Sequence, residues 1–129
     1  MSPTSDGVEV FGFLLGQTLT SVDGADKGSD RIVFTTAEGR KYEMYHDQDC
    51  CESVDVEDVC GAVADLIGSP ITMAESVSNT TDPPPEGSNE SWTWTFYKIG
   101  TARGSVTIRW FGSSNGYYSE RVTFEDARK

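Results

Sequence analysis

Apolar residues along most of this chain recur at every second position, the spacing of a half-buried strand. Residues 18–22 are β-branched and alternating, and a loop rich in Gly and Asp follows through Asp30. Residues 31–36 repeat the pattern, with Ile32 and Phe34 on one face and Val33 and Thr35 on the other. Ala37, Glu38 and Gly39 read as a hairpin connection with glycine at the left-handed position. Residues 40–46 then place Tyr42, Met44 and His46 on a common face. These three strands predict a meander. A second one is predicted after residue 70. Residues 71–77 form a strand, and residues 91–99 alternate Trp92, Trp94 and Phe96 against Thr93, Thr95 and Tyr97. The tryptophan stripe at this spacing reads as core. Val106, Ile108 and Trp110 lie opposite Thr107, Arg109 and Phe111. A turn at residues 112–116 carries the Asn-Gly hairpin signal. Residues 117–124 close the chain as a strand with Tyr118, Glu120, Val122 and Phe124 on its apolar side.

One segment breaks the alternation. Val56, Val59, Cys60, Val63, Leu66 and Ile67 fall at helical spacing, and Gly68-Ser69-Pro70 follows them. Asp55 stands as N-cap, and Asp58 adds acid to the first turn. This predicts an amphipathic helix with Cys60 as a small core side chain. Gly61 inside it costs about 1 kcal/mol against Ala, which implies that another backbone passes close by. Residues 8–15 predict one or two further helical turns, capped by Ser5 or Asp6 and ended by Gly16, behind a polar arm at residues 1–6. The expected fold class is therefore α+β: an antiparallel sheet of about seven strands in two meanders, with one main helix packed on it. Residues 1–129 are expected to form a single domain. A surface loop at about 79–90 holds Pro83, Pro84 and Pro85 and almost nothing apolar.

Composition narrows the function classes. With 36% hydrophobic and 24% charged residues the chain is globular in character. It has no run of about 18 apolar residues, so no membrane association is expected, and no secretory signal is visible. A formal net charge of −11 argues against direct nucleic acid binding, which needs clustered Lys and Arg. It suits solubility or a basic partner. Glu43, Asp47, Asp49, Glu52, Asp55, Glu57, Asp58 and Asp65 follow one another with no Lys or Arg between them. A solvated acidic face is the first reading of that run, ahead of a binding patch.

The chemistry concentrates at residues 45–60, which hold the only histidine and all three cysteines. Cys50 and Cys51 are adjacent, which suits neither a disulfide framework nor the Cys-x(2–4)-Cys spacing of structural zinc sites. No metal and no cofactor are expected. A Cys50–His46 nucleophile is disfavoured because surrounding acid raises a thiol pKa. Glu120 is more informative, since an inward carboxylate is costly without a partner. The expected site is a polar network of His46, Gln48 and Glu120 beside Trp110 and Tyr118, with Asp49 and Glu52 completing a candidate ligand-binding set. Such a network is either structural or a pocket.

The string His46-Asp47-Gln48-Asp49-Cys50-Cys51-Glu52, followed by Asp58-Val59-Cys60-Gly61 and Leu66-Ile67-Gly68-Ser69-Pro70-Ile71, resembles a widespread family of small phage and prophage proteins of unknown function. The likeness extends from Leu15 through Trp92-Thr93-Trp94-Thr95-Phe96-Tyr97 to Ser114-Asn115-Gly116-Tyr117-Tyr118-Ser119-Glu120. The resemblance implies a bacteriophage origin and a place in the cytoplasm of the infected bacterial host. It brings no catalytic residues. The expected function is a phage-encoded, non-enzymatic accessory protein for host takeover or counter-defence. It would bind a small-molecule ligand or block a basic host protein. The alternatives are a metal- or thiol-dependent enzyme using His46, Cys50 and Glu120, and a minor structural phage component. Homo-oligomerisation is left open.

Overall fold

The computed structural model describes residues 11–46, 52–79, 91–114, 120 and 122–126. Among these described residues eight strands form two four-stranded antiparallel sheets. In the first, β1 (Leu19–Asp23), β2 (Arg31–Thr36) and β3 (Lys41–Tyr45) make the expected meander, and β8 (Thr123–Asp126) joins β3. In the second, β5 (Ile71–Asn79), β6 (Ser91–Thr101) and β7 (Gly104–Ser114) make another meander, and β4 (Ser53–Cys60) joins β7. The two sheets share one core. Trp110 of β7 is fully buried and donates its indole N–H to Met44 Sδ of β3 at 3.2 Å. Phe11 lies edge-on between Tyr97 of the second sheet and Phe124 of the first, at 4.9 and 5.1 Å. Backbone bonds close the margins: Ile71 donates to Gln17, Gly68 to Leu19, and Gly28 to Val56.

The expected α+β fold with a main helix is overturned. The segment read as that helix is β4, followed by a short 3-10 turn at Val63–Leu66. The only other helical element among the described residues is a 3-10 turn at Gly12–Leu14. A β-bulge explains the misreading. Val56 pairs with Trp110 and Val59 with Ile108, while the register slips between Val56 and Asp58. The extra residue, Glu57, sets two inward valines three apart, a spacing that imitates a helix. Val54 and Val56, both buried, keep the strand period before the bulge. Cys60 consequently leaves the core. It is exposed at the end of β4, with its thiol 3.8 Å from Asp58 Oδ2.

The close backbone approach at Gly61 does occur, for a different reason. Gly61 has φ +113°, and a Cβ there would lie 2.5 Å from the Ser105 carbonyl oxygen. The final strand also starts later than its alternation suggests. Glu120 lies against Gly112 of β7, whereas Phe124 pairs with Met44 of β3, so the chain crosses between the sheets in this short stretch. A Cβ on Gly112 would lie 3.0 Å from both the Glu120 carbonyl oxygen and Val54 Cγ2, so a larger residue would have to push these neighbours aside. The polar arm, the Pro-rich loop and the Asn115-Gly116 turn lie outside the described residues.

Candidate functional site

Inward polar residues collect where β3 ends and β4 begins. His46 continues the buried face of Tyr42 and Met44, as alternation requires. Its Nε2 lies 2.5 Å from Glu52 Oε2, with side-chain exposures of only 3% and 0%. The contact compensates part of the cost of taking both groups out of water. The pair links the first residue after β3 to the last before β4, and so fastens one sheet to the other.

Glu120 has a separate environment. Thr93 Oγ1 donates to its Oε1 at 2.7 Å, and Ser114 Oγ donates to its Oε2 at 2.6 Å. Thr93 and Gly112 are cross-strand partners, so the glutamate fills the space that Gly112 leaves open. The inward carboxylate thus has its partners. They are hydroxyls of β6 and β7, and the carboxylate bound to His46 is Glu52. The expected network of His46, Gln48 and Glu120 runs through Gln48, which lies outside the described residues; the described contacts are His46 with Glu52, and Glu120 with Thr93 and Ser114. Trp110 belongs to the shared core. Gln48, Asp49, Cys50, Cys51 and Tyr118 lie outside the described residues. Every buried side-chain polar atom of the described residues has a hydrogen-bond partner. Among those residues no group of three or more His, Cys, Asp or Glu is arranged to hold a metal ion.

The tryptophan stripe expected in the core lies on the other face of the second sheet, where Trp94 is nevertheless buried, at 7% exposure, and Phe96 is partly buried. Tyr97, Ile99, Ile108 and Trp110 point inward, which turns Trp94, Phe96, Arg109 and Phe111 outward. Register aligns them in rows. Val77, Phe96, Arg109 and Asp58 form one, and Asn79, Trp94, Phe111 and Asp55 form the next. The Arg109 guanidinium lies 5.5 Å from the Trp94 ring centroid. Its Nε donates to Glu57 Oε1 at 2.8 Å, and its Nη2 lies 3.5 Å from Asp58 Oδ2. Beside them the Asp55 carboxyl is pushed above its ordinary value of 3.8, first by burial and then by the negative charge of Asp30. The available signal was that β6 is apolar on both faces; period alone does not say which face is covered.

Residues 13–124 match the family model described as domain of unknown function DUF7448. The chain belongs to this family. No curated protein and no solved structure matches it. The DUF7448 match spans both sheets, from the first 3-10 turn into β8, and therefore includes both inward carboxylates and the aromatic rows. Among the described residues no helix is long and apolar enough to cross a membrane.

Proposed function

We propose that this DUF7448 protein is a phage-encoded binding protein that acts without turnover in the cytoplasm of the infected host. It engages a basic host protein as a host-takeover or counter-defence factor. The observation that carries this reading is the distribution of carboxylates in a chain of net charge −11. The inward ones, Glu52 and Glu120, are taken up by His46, Thr93 and Ser114, inside the protein. Asp55, Glu57 and Asp58 lie on an outer face, beside aromatic rings, where Glu57 and Asp58 already hold a guanidinium, that of Arg109. An acidic surface of this kind steers a basic partner and repels nucleic acid. The phage origin is supported by the resemblance carried by the His46–Glu52 string.

Purification of the protein from infected cells at low and high salt tests this. A basic host protein should accompany it at fixed stoichiometry at low salt. It should be lost as salt shortens the screening length below about 8 Å. Co-purification indifferent to salt, or catalytic turnover of a host metabolite, would overturn the reading.

A further inference from the structure

The solvent side of an antiparallel sheet in a two-layer fold is ordinarily polar. Here it is not. Trp94 packs against Phe111 at 4.7 Å between centroids and stacks near Phe96 at 6.3 Å. Trp94 itself is 7% exposed, whereas Phe96 and Phe111 are only partly buried and Val77, the cross-strand neighbour of Phe96, is 53% exposed. Apolar rings grouped on an outer face mark a surface that something else covers.

The chain itself shows which chemistry suits this surface. Arg109 lays its planar guanidinium over Trp94 while bonding Glu57 and approaching Asp58. A planar cation between a ring face and carboxylates is how arginine is recognised, and lysine fits it less well. The next row repeats ring and carboxylate, since Phe111 has Asp55 as its cross-strand partner. Among the described residues, Asp55 faces Asp30 where Asp58 faces Arg109. Phe111 and Asp55 thus repeat the ring and carboxylate that hold Arg109, with the like charge of Asp30 in place of the cation.

We propose that the rows formed by Phe96, Phe111 and Asp55 are a docking surface for an arginine-bearing segment of a basic protein. Its guanidinium stacks on the phenylalanine rings and pairs with Asp55. This rests on the reading of the protein as a binder of a basic partner, and gives that partner a place. A second copy of the chain is disfavoured, because two chains of net charge −11 repel on approach.

The test is fluorescence anisotropy of the full chain with labelled oligo-arginine and oligo-lysine peptides of equal length. The arginine peptide should bind about fivefold more tightly than the lysine peptide. Phe111→Ser and Asp55→Asn should each weaken the arginine peptide by roughly threefold to fivefold. Glu38→Gln, the same charge change in the exposed β2–β3 turn, should leave binding unchanged. Asp55→Asn removes a like-charge contact, so weaker binding by a protein with undiminished melting temperature cannot come from unfolding. Equal weakening by Asp55→Asn and Glu38→Gln, or equal affinity for the two peptides, would overturn this face while leaving a diffusely acidic binder. Failure of both peptides to bind at low salt would overturn the basic-partner reading as well. Self-association abolished by Phe111→Ser and unaffected by the peptide would assign the face to a second copy, against the proposal.

Discussion

Each sheet carries an arginine on its outer face, held by a glutamate and laid over an aromatic ring. On the first sheet Arg31 pairs with Glu43 and lies 4.4 Å from the Tyr45 centroid. The Tyr45 hydroxyl donates to Glu125 at 2.7 Å, so this unit is polar at both ends. On the second sheet Arg109 pairs with Glu57 over Trp94. There the ring continues into Phe96 and Phe111, which offer no polar group. The same local motif therefore ends in a carboxylate on one sheet and in apolar rings on the other. What distinguishes them is the neighbouring rows, which are set by strand register.

The largest effect that bears on this contrast is a core deletion. Phe124 touches Phe11, Phe34 and Tyr42, and Phe124→Ala should cost about 3–5 kcal/mol in urea denaturation. Phe96→Ala, on the outer face, should cost below about 1 kcal/mol. Equal losses would place the second sheet's outer rings in the core and break the comparison. Next comes the fastening between the sheets. Glu52→Ala leaves His46 in a buried site without its carboxylate and should cost about 3 kcal/mol. A variant as stable as the parent would mean that the pair is not needed to join β3 to β4.

Smaller effects separate the two arginines. Arg31→Ala and Arg109→Ala should each cost below about 1 kcal/mol, because both pairs are partly solvated. Only Arg109→Ala uncovers a tryptophan, so acrylamide quenching of tryptophan emission should rise in that variant alone. An equal rise in both would contradict the stacking on Trp94. The smallest effect belongs to Asp55→Asn. A carboxyl whose folded pKa is raised above 3.8 destabilises the folded protein when ionised. That penalty is complete above the folded pKa, shrinks as pH falls through it, and is absent below 3.8. Asp55→Asn should therefore stabilise the protein slightly at neutral pH, with the gain vanishing on acidification; a gain that persists below 3.8 would refute the cause.

From the sequence alone, alternation determined most strands and the partition of residues between their two faces. Residues 31–36 coincide with β2, and His46 and Glu120 are buried as their alternation required. The need of Glu120 for a partner was also legible, because a carboxylate among Val122 and Phe124 either pairs or must reach water at a strand end. The partners were not: Thr93 and Ser114 lie on strands whose register decides who faces whom. Period two likewise left open which side of β6 turns inward, since Trp92, Trp94 and Phe96 are as apolar as Tyr97 and Ile99. The opposing sheet made that choice by giving Trp110 and Tyr97 the shared core. The bulge at Glu57 was hidden for a related reason. Three-residue spacing of Val56 and Val59 satisfies a helix without help, whereas a strand satisfies it only when a neighbour such as β7 tolerates one extra residue. Local spacing thus defined faces, and long-range pairing decided which faces meet.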